Sequence, residues 1–175
     1  MKWLALLAST ALVCLFICSH AGAAEVMKKI TKDDLKIELH VMKAEPFYTK
    51  EDVAAKNIKS GMLIMGGAKP LGLEDTPRPT HHLIIHVFDA KSGKAITNAD
   101  VSMSFQSLNA KGKPSGSMVD VPVVIMEAVG RGPQSTHYGN NVSMADGPYR
   151  VFLTVNGKKV DFKITVRNAP GKMKM

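Results

Sequence analysis

The sequence predicts an all-β fold, an antiparallel β-sandwich with one short helix near the N-terminus. Three observations predict it. Apolar and polar residues alternate with period two over Asp34 to Met42 and again over Val160 to Val166, the pattern of a strand with one buried face. Asn156-Gly157 stands between two apolar runs and is a two-residue hairpin signal. Turn residues recur at short intervals between the remaining apolar segments, the spacing of a sandwich.

Element by element, Leu35, Ile37, Leu39 and Val41 share one strand face, and Lys36, Glu38, His40 and Met42 share the other. Pro46 ends this strand. Thr49 is placed to cap a short helix with Glu51 and Asp52 in its first turn, and Gly61 is its expected stop. Met62 to Met65 is a short apolar segment before Gly66-Gly67, and Pro70 to Pro79 reads as a proline-bearing linker. Leu83 to Phe88, Asp100 to Phe105, Tyr149 to Val155 and Val160 to Val166 read as strands, and Val121 to Met126 as one continuous buried strand. Asn109 to Ser117 and Gly130 to Thr136 read as loops, with His137 to Asn141 as a turn-rich continuation of the second. The expected core contains Leu35, Ile37, Leu39, Phe162, Ile164 and either Val151 or Phe152.

Residues 1–23 read as a secretory signal peptide: Lys2, an apolar run from Trp3 to Cys18, and the small residues Ala21-Gly22-Ala23. A lipoprotein signal at Cys18 is the rival, and the bulky Leu15-Phe16-Ile17 before it fit a lipidation box poorly. Cleavage removes both cysteines, so the mature chain has no thiolate ligand and no disulfide. The expected organisation is one domain: residues 24–79 as an N-terminal strand, helix and linker, 80–168 as the sandwich body, and 169–175 as a basic tail. The formal charge of +8 suits a soluble basic surface or an anionic envelope partner. Export, with lysines that do not alternate with stacking aromatics, argues against nucleic acid.

No His-Glu-x-x-His helix, Gly-x-Ser-x-Gly elbow or phosphate-cradling loop is present, so the chain reads as non-catalytic. Its distinctive chemistry is imidazole and thioether. Of six histidines, His20 falls in the signal peptide, and His81, His82, His86 and His137 fall in two short segments. Eleven methionines accompany them. In a strand, residues four apart lie roughly 13 Å apart, so His82 and His86 share a face and need a ligand from another strand or loop to close a site. His81 faces the other way. His137, beside Tyr138-Gly139-Asn140-Asn141, is either the partner that closes the site or a turn residue that caps backbone groups; of Met42, Met62, Met65, Met103, Met118, Met126 and Met144 one or two could supply a thioether, with core packing the default for Met103 and Met126 on apolar faces. Glu38, His40 and Met42 make a second candidate patch on their strand. Soft donors of this kind suit copper, with affinity expected to fall below about pH 6.5 as imidazole protonates.

The segment from Gly132-Pro133 through His137-Tyr138-Gly139-Asn140-Asn141 to Met144 resembles the copper-binding periplasmic accessory proteins of iron transport, which carry Gly-Pro-His-Tyr-Gly-Ala-Asn-Ile-Ala-Met. The resemblance implies an immunoglobulin-like sandwich, a copper or iron ion, a periplasmic location, a homodimer and a membrane transporter as partner. It matches His137 to the family's histidine before Tyr-Gly and, more loosely, His82-Leu83-Ile84-Ile85-His86 to the family's histidine strand. Ile84 stands where the family has a ligating glutamate. Met103 is nearest the family's Met-Pro-Met strand, and Met126 competes for that role. The wording from His86 to Val101 is also similar to YtkA-like envelope domains. The resulting expectation is a secreted metal-binding protein that serves envelope metal handling; the alternative is a non-catalytic interaction module that binds no metal.

Overall fold

The computed structural model describes residues 26–167. The signal peptide and the basic tail expected from sequence lie outside these residues. Eleven strands and one helix follow in order: β1 Val26–Lys32, β2 Leu35–Lys43, β3 Phe47–Tyr48, α1 Lys50–Lys56, β4 Met62–Gly67, β5 His81–Asp89, β6 Val101–Ser107, β7 Val119–Val121, β8 Val124–Ala128, β9 His137–Val142, β10 Gly147–Val155 and β11 Lys158–Val166. A 3₁₀ turn at Pro133–Ser135 precedes β9.

The strands form two sheets. The larger runs β1-β2-β5-β9-β8-β4-β3, and the smaller β11-β10-β6-β7. Every pairing is antiparallel except the two-residue β3–β4 pair. The core lies between the sheets. From the larger sheet it takes Leu35, Ile37, Leu39 and Val41, Leu83, Ile85 and Val87, and Tyr138; from the smaller, Met103, Phe105, Val151, Leu153, Phe162 and Ile164. The alternation read in β2 and β11 therefore does what period two requires: one residue in two faces the opposite sheet. Val151 is the inward residue of its pair, and the Arg150 guanidinium sits 5.1 Å over the outward Phe152 ring. The Asn156-Gly157 turn connects β10 to β11, and both residues take positive φ.

β1, β3 and β4 are strands that the sequence reading did not place, and three further elements differ from it. The helix ends at Asn57, which adopts the left-handed conformation, four residues before the expected Gly61. Its start is as expected, with a reciprocal Thr49–Asp52 capping box. Val121 to Met126 is not one strand. Pro122 cannot donate to a ladder, and at Pro122-Val123 the chain leaves the smaller sheet as β7 and enters the larger as β8. Finally, His137 to Asn141 is a fully buried strand rather than a turn. Glycine is required there by close approach: a Cβ at Gly139 would come within 2.0 Å of the Leu83 carbonyl oxygen.

Candidate metal centre

Register decides which side chains meet. Across β2 and β5, Glu38 pairs with His86, His40 with Ile84, and Met42 with His82. Across β5 and β9, Ile84 pairs with Gly139 and His82 with Asn141. Across β9 and β8, His137 pairs with Met126. All of these residues alternate with core residues, so they share the outer face of the larger sheet. The missing side chain at Gly139 brings β9 close to β5 at the centre of this face.

The outer face is nevertheless dry at its centre. His82 and Met126 have no exposed surface and His137 only 2 %. Met62, Ile84, Val124 and Met126 pack into a small apolar cluster here, with Met42, Phe47 and Ile64 against it. The segments around Glu45 and Leu71 are drawn over the end of the sheet by two amides. Asn140 accepts from Leu71 N–H and donates to Lys69 and Pro122 carbonyls. Asn141 accepts from Glu45 N–H and donates to Glu45 and Leu71 carbonyls. Phe47 then lies edge-on to His82, with ring centroids 5.6 Å apart.

Four imidazoles form a continuous array. His137 stands between His82 and His86, with centroids 5.9 and 5.3 Å away, and His86 meets His40 at 5.3 Å. Two imidazoles bound to one ion through nitrogens at about 2.0 Å have centroids roughly 5–6 Å apart, and rings packed edge to face have the same spacing, so these distances fit ligand pairs and ring packing alike. The Nδ1–H of His82 donates to Asn141 Oδ1 at 2.9 Å, that of His86 to the Thr136 carbonyl at 3.2 Å, and that of His137 to the Ser135 carbonyl at 2.7 Å. Each acceptor is an oxygen without a proton to give, and the Asn141 amide is oriented by its own bonds. The three rings are therefore held as the tautomer with a lone pair on Nε2. For His82 and His137 that Nε2 is buried and meets no hydrogen-bond partner.

Burial dominates the electrostatics. It pushes His82 down to about 3, helped by neighbouring His137 and opposed by the Asn141 bond. It pushes His137 down to about 4, opposed by the Ser135 bond and helped by His86 and His40. Both rings are thus neutral, the form a metal needs, to well below the pH 6.5 expected from an unperturbed imidazole. At the outer end of the array His40 Nε2 lies 3.7 Å from Glu38. Burial works to raise the Glu38 carboxyl, but hydrogen bonds from Lys29 and Lys36 outweigh it and hold the group below its usual value.

No protein-family model, no curated protein and no solved structure matches this chain.

The structure brings together three of the five residues singled out for metal, His82, His86 and His137, and sets Met126 across from His137. It does not bring Met103 to them. Met103 is on β6 of the other sheet, 4 % exposed and packed in the main core; its place on an apolar face was the signal. His81 turns away, its Nδ1 2.8 Å from the Thr80 hydroxyl. The Glu38-His40-Met42 patch is not separate from the histidine array but continues it, because β2 is the neighbour of β5. Sequence reasoning missed Asn141, whose amide orients His82. Among the described residues, no group of three or more His, Cys, Asp or Glu side chains converges around one point.

Proposed function

We propose that this chain is an exported copper-binding protein of the bacterial envelope that serves metal handling beside a membrane transporter, its sandwich an immunoglobulin-like variant. One observation carries the reading: the Nε2 atoms of His82 and His137 are buried without a partner, while oxygens hold both Nδ1–H groups. An unpaired buried polar atom costs about 1–3 kcal/mol, and such atoms persist where a ligand satisfies them. An imidazole whose far N–H is fixed by a carbonyl or amide oxygen is the arrangement of a metal-ligating histidine.

Copper is favoured over iron by the donor set. Imidazole and thioether suit copper, whereas non-haem iron sites of this size add a carboxylate. The carboxylate on this face, Glu38, is already engaged by Lys29 and Lys36.

Calorimetric titration of the mature protein tests the reading. His137→Ala should weaken copper binding at least tenfold, about 1.4 kcal/mol, and His81→Ala should leave it nearly unchanged. Binding should persist to about pH 4–5, because the folded imidazoles protonate only near pH 4 and 3. Wild-type binding no tighter than millimolar, or equal binding by the His137 variant, would favour a non-catalytic interaction module instead.

A further inference from the structure

We infer that the ion taken by this face is cuprous, Cu(I), held by Nε2 of His82 and His137 with the Met126 thioether as third donor. The inference rests on the copper reading and adds to it an oxidation state, a donor set and a coordination number.

Charge is the first argument. The cost of moving an ion from water into a dry site grows with the square of its charge, so a divalent ion costs about four times as much as a monovalent one. His82, His137 and Met126 are 2 % exposed or less, and all three are neutral donors. Glu38, the carboxylate that shares this face, lies across from His86 and is ion-paired with Lys29 at 3.1 Å and Lys36 at 3.2 Å. The inner pair thus offers no formal negative charge to offset a second positive one.

Ligand number is the second. Tetrahedral zinc sites take four ligands, and among the described residues not even three His, Cys, Asp or Glu side chains converge. Cu(I), with a filled d shell, is satisfied by two or three soft donors. With both Nε2 atoms turned to one ion, the His82–His137 centroid spacing of 5.9 Å would correspond to an open angle there, wider than the roughly 5.2 Å of a tetrahedral pair.

Sulfur is the third. Met126 is the cross-strand neighbour of His137, and Met42 of His82. Both belong to one apolar cluster with Met62. Thioethers select Cu(I). Methionine also fills cores, so the test must separate the two roles: Met126→Leu conserves volume and leaves packing nearly intact while removing the sulfur.

The experiment uses the mature protein under anaerobic conditions. Cu(I) affinity is measured by competition with bicinchoninate, and Cu(II) affinity by competition with glycine, for the wild type, Met126→Leu and Met42→Leu; circular dichroism and thermal melts confirm the fold. Cu(I) should bind at least about 100-fold more tightly than Cu(II), Met126→Leu should lose about tenfold for Cu(I) and nothing for Cu(II), and X-ray absorption of the Cu(I) form should show one sulfur and two nitrogens. Equal or tighter Cu(II) binding, or no loss of Cu(I) affinity in Met126→Leu, would overturn the inference and leave the copper reading standing. Absence of binding in both oxidation states would overturn both.

Discussion

The two faces of the larger sheet are built by the same strands, one dry throughout and the other dry at its centre, yet they hold opposite chemistry. The inner face is hydrocarbon: Ile37, Leu39, Leu83, Ile85 and Val87 have no exposed surface and meet the smaller sheet. The outer face, one residue out of step, carries Glu38, His40, His82, His86 and His137. The comparison teaches that period two separates stability from chemistry. A residue on the inner face contributes by leaving water, and one on the outer face imposes a cost unless something meets its polar atom.

The sharpest way to break this division is at Gly139, which serves both faces. Gly139→Ala forces a Cβ into the Leu83 carbonyl at a φ of +155, and β9 must then move off β5. A loss above roughly 4 kcal/mol is expected, together with loss of the proposed copper binding, read by denaturant unfolding and titration. The inner face alone is tested by Ile85→Ala, which should cost about 2–5 kcal/mol and leave the proposed copper affinity per folded molecule unchanged; a parallel loss of that binding would show that the faces are not separable. The outer face alone is tested by acid. The folded values of His82 and His137, about 3 and 4, lie below the unfolded 6.5, so the unfolded chain binds more protons between these limits. Stability is fully present above pH 6.5 and falls as pH drops towards 4, by at most about 2–3 kcal/mol per pH unit for the two groups together. Melts of the metal-free protein should show this slope, and His82→Leu should reduce it by about half.

The inner face was legible in the sequence, because alternation within β2 and β11 is a local property. The Asn156-Gly157 hairpin was legible for the same reason. The candidate site was legible only in its ingredients. His82, His86 and His137 could be named from their residue type and strand parity, but His40 could not be joined to them, since β2 and β5 are separated by the helix and linker and their pairing is non-local. The Gly-Asn-Asn run was read as a turn by local propensity. Tertiary context overrides that propensity: every amide of Asn140 and Asn141 is satisfied by backbone from residues 45, 69, 71 and 122, which allows two asparagines with no exposed surface. Met103 enters the ligand set only through the likeness to a Met-Pro-Met strand, whereas its own place on an apolar face points to the core, where it lies.

The strand that changes sheets at Pro122-Val123 has a mechanical consequence. The two layers are riveted by a covalent step of two residues, and that step is itself tied down, with the Pro122 carbonyl held by Asn140 and the Val123 carbonyl by Ala68 N–H. Pulling the layers apart at this step must break the bonds to Asn140 and Ala68 together with the packing between the sheets.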